Sequence, residues 1–155
     1  MRLARERRMT LATVESCTAG SLALLLSQAK GASDTLHGGF IVYTKANKTA
    51  AMGVPKELLA AHTAVSAEVA QALAKGGLLR CPADFVVSIT GVAGPEPDED
   101  GNPVGLVYVA VAARDGRSRV ARHELGKRGK DEICAAAIKA ALTLLEELIG
   151  EHQRP

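Results

Sequence analysis

Short apolar runs alternate along this chain with segments of helical periodicity. Residues 10–15 and 83–90 contain the apolar residues Leu11, Ala12 and Val14 and the run Phe85–Ile89, which predict buried strands. A third run, Phe40–Tyr43, predicts another strand. Helices are predicted over residues 18–29 and 130–149, where leucine, isoleucine and alanine recur at three- and four-residue spacing. This alternation is typical of an α/β domain.

Capping and turn residues predict where the remaining elements begin and end. Ser66 is placed to cap a helix, and the pair Gly76-Gly77 predicts where that helix ends. Asp115-Gly116 is a hairpin signal, and it joins predicted strands over residues 104–113 and 118–125. A late antiparallel hairpin after alternating strands and helices predicts a three-layer α/β/α sandwich with a mixed, mostly parallel sheet.

Length, composition and charge narrow the class of protein. At 155 residues the chain is expected to form a single domain, residues 1–155, with a core of small aliphatic side chains, because aromatic residues make up only 3%. The net charge of +2 argues against a nucleic-acid partner. No apolar run approaches the roughly 20 residues of a membrane span, and no signal peptide is recognisable. With three widely spaced cysteines and no expected disulfide framework, the protein is predicted to be cytoplasmic.

Polar residues follow three of the predicted strands. The segments are Glu15–Gly20, Tyr43–Lys48 and Thr90–Pro95. Open α/β sheets bind ligands beyond the carboxyl ends of their strands, so these segments are expected to converge on one site. The glycines of the third segment, including Gly91, would let a ligand approach the backbone closely.

The first of these segments contains two candidate nucleophiles, Ser16 and Cys17. It lies at a predicted turn from strand to helix, where backbone amides are free to donate. The amides of residues 17–20, which include Thr18 and Gly20, are expected to bind an oxyanion or a substrate phosphate.

A base for either nucleophile is harder to assign from the residues alone. None of the four histidines falls in the three segments or shows metal-ligand spacing; they are His37, His62, His123 and His152. No metal or cofactor is therefore expected. Lys45 and Lys48 lie on one face of a predicted helix, and either could act as the base if its pKa were lowered. Tyr43 could orient that lysine or the serine, and the choice between the lysines stays open.

The motifs, taken in order, resemble those of the CinA C-terminal domain family. Thr13–Gly20 resembles the ESCTGG motif of that family. The resemblance continues through further segments over nearly the whole chain: Gly39–Tyr43 with Lys48, Gly53-Val54, Ala64–Ser66, Ser88–Pro95 and Pro103–Tyr108. Several motifs in the right order make the resemblance specific, and the chain resembles the stand-alone form of the domain.

Members of this family include nicotinamide mononucleotide deamidases, which hydrolyse the carboxamide of that nucleotide to give nicotinate mononucleotide and ammonia. The resemblance implies a serine–lysine amidase without metal, in which Ser16 is the nucleophile, Lys48 the general base and Tyr43 a support for the dyad. It also implies an α/β/α sandwich, a small-molecule nucleotide substrate and a homo-oligomer.

The resemblance extends to substrate binding and leaves two alternatives. Expected substrate-binding residues are Cys17, Thr18, Gly20, Thr90, Gly91 and Arg128, with Lys130 as the alternative to Arg128. Ala19 and Cys134 replace family residues, which suggests a catalytically weak nucleotide-binding module as an alternative function. An amidase acting on another small amide is the second alternative.

Overall fold

A computed structural model describes residues 1–151 of the chain. The strands and helices alternate as predicted, with additional short helices near the N-terminus and on either side of the second strand. In chain order the elements are α1 Arg2–Glu6, β1 Leu11–Glu15, α2 Ser21–Ser27, α3 Ala32–Thr35, β2 Leu36–Ile41, α4 Lys45–Met52, α5 Lys56–His62, α6 Ala67–Arg80, β3 Phe85–Gly91, β4 Leu106–Ala113, β5 Ser118–Glu124 and α7 Lys130–Gly150.

The strands form one mixed sheet in the order β2-β1-β3-β4-β5. Strand β1 pairs in parallel with β2 and β3, while β4 is antiparallel to both of its neighbours. Four of the five strands therefore point the same way, which confirms the mostly parallel sheet.

Helices cover both faces of the sheet and give the predicted three layers. On one face α2 and α7 bury their leucines and isoleucines against alternate positions of β1, β3 and β4. On the other face α4, α5 and α6 pack around Val14 and Val86. The central strands β1 and β3 are buried on both sides, which explains why apolar residues occupy both of their faces. Within residues 1–151, no helix has both the length and the apolar character that a membrane crossing requires.

Glycine explains two of the predicted boundaries that were wrong. Helix α6 continues past Gly76 and Gly77 to Arg80. A Cβ on Gly76 would lie 2.4 Å from the backbone oxygen of Met52, so these glycines allow close helix packing rather than ending the helix. Strand β2 covers Leu36–Ile41 instead of Phe40–Tyr43. It is a half-exposed edge strand, and Gly38 and Gly39 interrupt its alternating sequence pattern, so the prediction missed its first residues.

The topology brings three chain segments to one edge of the sheet. Strands β1, β2 and β3 are parallel, so their carboxyl ends at Glu15, Ile41 and Gly91 lie side by side. The residues that follow these strands are the ones in which the sequence places its candidate chemistry. The sheet therefore positions the candidate site at this edge.

Candidate active site

A cavity of about 590 Å³ lies at the carboxyl edge of β1, β2 and β3. All three predicted segments contribute to its lining, together with the loop that follows β3. The lining residues are Ser16, Cys17, Tyr43, Thr44, Lys45, Ala46, Lys48, Ala64, Val65, Thr90, Gly91, Val92, Ala93, Gly94, Glu96, Asp98, Glu99 and Asp100. The volume lies in the range of small-molecule binding sites.

The turn that presents Ser16 is built around the carboxylate of Glu15. This side chain is fully buried and accepts five hydrogen bonds. The donors are the hydroxyls of Thr13 and Thr18 and the backbone amides of Gly20, Leu22 and Ala23. The carboxylate thus satisfies the free amides at the start of α2, and it compensates for its own burial.

Glu15 was not predicted as a site residue, although the sequence carries a signal for it. It is the only charged residue of β1, whose five residues are all buried. A carboxylate in a buried strand must find several donors nearby, and here they are the residues of the following turn. Its contribution is to fix the direction in which the chain leaves the strand.

The hydrogen bonds to Glu15 change the roles expected of the neighbouring residues. Thr18 and Gly20 direct their hydroxyl and amide to Glu15 and do not line the cavity. Ala19 and Gly20 adopt left-handed φ values of 47° and 96°, so α2 begins at Ser21 rather than at residue 18. The left-handed conformation is more strained for alanine than for glycine, because alanine has a Cβ atom.

Ser16 and Lys48 lie in direct contact on the cavity wall. Nζ of Lys48 lies 2.9 Å from Oγ of Ser16, and both side chains are buried, the lysine with only 2% of its surface exposed. The same nitrogen donates to the backbone oxygens of Val42 and Tyr43, at 3.0 and 3.3 Å. Helix α4 supplies the lysine, and the end of β2 supplies the two carbonyl groups.

These contacts leave a neutral Lys48 in the geometry of a base. Its two N–H bonds can donate to the carbonyls of Val42 and Tyr43, and its lone pair then faces the hydroxyl of Ser16. Burial lowers the pKa of Lys48 from 10.5 to about 8, and the positive charge of Lys45 acts in the same direction. A neutral amine is thus accessible near physiological pH.

Lys45 has the opposite environment, although it lies only one helical turn away. Its ammonium pairs with Asp100 at 2.7 Å and Glu99 at 3.1 Å, and the hydrogen bond that it donates to Asp100 raises the pKa of Lys45. Lys45 therefore stays charged. The two lysines that the spacing left equivalent are distinguished by burial.

Replacing Lys48 by methionine is expected to change how stability depends on pH. The pKa of Lys48 is about 8 in the folded protein and 10.5 in the unfolded chain, so the unfolded chain binds more protons than the folded protein between pH 8 and 10.5. The wild type should therefore gain about 3 kcal/mol of unfolding free energy across that range, relative to Lys48→Met. Urea unfolding of both proteins at pH 7 and 10.5 measures this difference. Parallel pH dependence in the two proteins would contradict a neutral buried lysine.

Cys17, the alternative nucleophile, is placed differently from Ser16. Its side chain is buried among the apolar residues between the sheet and α7. Burial is the main cause that raises the pKa of its thiol to about 12, so the reactive thiolate is scarce at neutral pH. Its backbone oxygen accepts a 3.5 Å hydrogen bond from the thiol of Cys134. The geometry favours Ser16.

The other predicted site residues act through the backbone or lie apart from the cavity. The side chain of Tyr43 is 57% exposed, and its contact with Lys48 is made by its backbone oxygen rather than its hydroxyl. Thr90 lines the cavity, but its hydroxyl donates to the backbone oxygen of Ala64. Gly91 lines the cavity beside it. Arg128 is exposed and is not among the lining residues.

No group of three histidine, cysteine, aspartate or glutamate side chains within residues 1–151 is arranged to hold a metal ion. His62 faces Glu68 at 3.6 Å. His37 and His123 lie on β2 and β5, and His152 lies outside the described residues. Ser16 and Lys48 are the candidate nucleophile and base that lie in direct contact in the described cavity.

Comparisons with known proteins agree with the fold. The chain is 43% identical over 141 residues to a CinA-like protein of Synechococcus sp. (strain RCC307), which covers 91% of this chain and 34% of that protein. It is 46% identical over 142 residues to a CinA-like protein of Anaeromyxobacter sp. (strain K), and the match covers 92% of this chain and 34% of that protein. The chain therefore spans about a third of the length of these curated relatives.

Solved structures match over almost their whole length. The competence damage-inducible protein A of Klebsiella pneumoniae subsp. pneumoniae MGH 78578 superposes with a TM-score of 0.92 at 32% identity, covering 98% of this chain and 93% of that chain. The competence/damage inducible protein CihA of Agrobacterium tumefaciens superposes with a TM-score of 0.89 at 36% identity, covering 95% of this chain and 93% of that chain. The family model of the CinA C-terminal domain matches residues 1–149, and this chain belongs to that family.

Proposed function

We propose that this protein is a nicotinamide-nucleotide amidohydrolase that converts nicotinamide mononucleotide to nicotinate mononucleotide and ammonia. The observation that carries the proposal is the 2.9 Å contact between Ser16 Oγ and the buried Nζ of Lys48 on the wall of a nucleotide-sized cavity. A serine beside a lysine of lowered pKa is an activated nucleophile. The resemblance in sequence to the deamidases supports the choice of substrate.

In the first step Ser16 Oγ attacks the carbonyl carbon of the carboxamide, and its proton passes to the neutral amine of Lys48. The tetrahedral intermediate collapses when the C–N bond breaks, and Lys48 returns the proton to the departing ammonia. Water then attacks the acyl-serine ester while Lys48 accepts its proton, and Lys48 passes that proton to Ser16 Oγ as the ester C–O bond breaks and nicotinate mononucleotide is released. The carbonyls of Val42 and Tyr43 hold the amine in place through both steps.

The oxyanion of this reaction needs donors that are free and close to Ser16. Cys17, Ala93 and Gly94 line the cavity, and among residues 1–151 their backbone amides donate to no other residue. The amides of Ala19 and Gly20 are bound to Ser16 O and to Glu15. Cys17 and the loop after β3 are therefore the donors we assign to the oxyanion.

Release of ammonia from nicotinamide mononucleotide by the purified protein tests this function directly. Turnover that persists after treatment with a chelator is expected, since the mechanism uses only Ser16, Lys48 and backbone groups. Nucleotide binding in a thermal-shift assay without ammonia release would instead favour a catalytically weak nucleotide-binding module.

A second candidate is an amidase for a small amide that carries no phosphate. The observation in its favour is the loop that follows β3, which lines the cavity with four carboxylates: Glu96, Asp98, Glu99 and Asp100. Negative charge in the wall disfavours an anionic substrate. Faster hydrolysis of nicotinamide riboside or free nicotinamide than of the mononucleotide would support this alternative.

The pH dependence of the reaction is expected to follow the protonation of Lys48. Its pKa of about 8 means that kcat/KM should rise about tenfold per pH unit below that value and level off above it. Ammonia release measured from pH 6 to 10 determines the midpoint. Removal of the Lys45 charge in Lys45→Met should move the midpoint to higher pH, because that charge lowers the pKa of Lys48. A profile that is flat from pH 6 to 9 would exclude Lys48 as the base.

A further inference from the structure

The wall of the cavity contains a carboxylate that is held on both of its oxygens. Oδ1 of Asp100 lies 2.7 Å from Nζ of Lys45, and Oδ2 accepts a 3.4 Å hydrogen bond from the backbone amide of Ala64. All three residues line the same cavity as Ser16 and Lys48. An ammonium together with an amide is a set of donors that binds phosphate oxygens as readily as carboxylate oxygens.

The loop that carries Asp100 does not depend on this carboxylate for its conformation. Asp98 accepts hydrogen bonds from the backbone amides of Asp100 and Asn102 and from the Asn102 side chain. Asn102 also donates to the hydroxyl of Thr63, at 3.1 Å, which ties the loop to the segment before α6. The side chain of Asp100 can therefore leave Lys45 while the loop keeps its position.

Lys45 is surrounded by more negative charge than it can balance. Glu99 is a second carboxylate within 3.1 Å of its ammonium, although that side chain is 72% exposed and screened by solvent. The side chain of Asp100 is only 21% exposed. Asp100 is thus the main competitor for any external anion that approaches Lys45 from the cavity.

We propose that Lys45 and the Ala64 amide bind the phosphate of the nucleotide, and that the Asp100 carboxylate occupies this position until the phosphate displaces it. The assignment rests on the proposed function, since the phosphate belongs to the proposed substrate. It also reconciles a carboxylate-lined cavity with an anionic substrate, because the substrate phosphate replaces a negative charge that is already bound there. Asp100 then sets how strongly the phosphorylated substrate is preferred.

The test compares nicotinamide mononucleotide with nicotinamide riboside, which lacks the phosphate. Asp100→Asn removes the competing charge, and it should raise the ratio of kcat/KM for the mononucleotide to that for the riboside about tenfold. Lys45→Gln removes the cation and should lower the same ratio by about tenfold or more. The change is expected in KM for the mononucleotide. Asp115→Asn is the matched control, since it breaks an exposed ion pair of 2.7 Å with Arg117 in the turn between β4 and β5.

Two results would overturn the assignment while leaving the proposed function intact. One is a ratio that stays within twofold of wild type in both variants. The other is an equal loss for both substrates in Asp100→Asn, which would mean that the ion pair only holds the cavity wall together.

Absence of hydrolysis in the wild type would contradict the proposed function. The anion site can be tested without hydrolysis. Direct titration with inorganic phosphate then decides the assignment. Asp100→Asn should bind phosphate about tenfold more tightly than the wild type and Asp115→Asn, and Lys45→Gln should bind it more weakly. Equal affinity in all four proteins would exclude an anion site at Lys45.

Discussion

Replacing Ser16 by alanine is expected to lower the rate of ammonia release from nicotinamide mononucleotide by about 10³-fold or more. The substitution removes the hydroxyl that lies 2.9 Å from Lys48, and within residues 1–151 no other side-chain nucleophile bonds to that amine. The side chain of Ser16 is small and buried, so the fold should tolerate the loss of one oxygen atom. Steady-state ammonia release by both proteins at pH 8 to 9 measures the effect.

Ser21→Ala provides the matched control for this experiment. Ser21 begins α2 only a few residues further along the same turn, but it is exposed and does not line the cavity. Its replacement should leave the rate within about twofold of wild type, as for most exposed substitutions. Full activity in Ser16→Ala combined with inactivity in Cys17→Ala would assign the nucleophile to Cys17 and contradict the serine–lysine mechanism.

The architecture could be predicted from sequence because the signals for it are local and repeated. Each buried strand is a short apolar run, and each polar segment at a strand end is adjacent in sequence to the strand that positions it. Three parallel strands then bring residues 16, 48 and 90 together without any further information. The predicted convergence of the three segments on one cavity is confirmed.

Burial of individual polar groups could not be predicted in the same way. Spacing made Lys45 and Lys48 equivalent, and the structure separates them because only one reaches inward to the carbonyls after β2. The loop after β3 carries a run of acidic residues with no local signal for their partners, yet Asp98 accepts a hydrogen bond from Asn102 within the loop and Asp100 pairs with Lys45. The pairs Ser16–Lys48 and Lys45–Asp100 lie 32 and 55 positions apart in the chain, and no local pattern encodes them.

The amides after Ser16 illustrate a different reason for failure. A turn from strand to helix normally leaves free amides for a ligand, and this general rule led to the expectation for Thr18 and Gly20. Here the chain supplies its own anion, Glu15, one residue before the candidate nucleophile. The carboxylate of Glu15 therefore occupies the anion position at the N-terminus of α2, and the substrate must accept hydrogen bonds from donors other than these amides.

Glu15→Gln is expected to destabilise the protein by about 3 kcal/mol or more, because hydrogen bonds to a buried charged acceptor are strong and their donors would lose it. Glutamine keeps one acceptor oxygen but presents an NH₂ group to donors such as the amides of Leu22 and Ala23. Activity should fall as well, since the turn that directs Ser16 towards Lys48 would no longer be held. Urea unfolding at pH 7 measures the first effect, and ammonia release measures the second.

Glu68→Gln is the control that isolates this effect from the loss of a charge near a helix start. Glu68 lies in the first turn of α6, and its side chain is 47% exposed. Its replacement should change the unfolding free energy by no more than about 0.5 kcal/mol, the usual size of an exposed substitution. Similar unfolding free energies for Glu15→Gln and Glu68→Gln would mean that the five hydrogen bonds to Glu15 contribute little, and that packing alone holds the turn that carries Ser16.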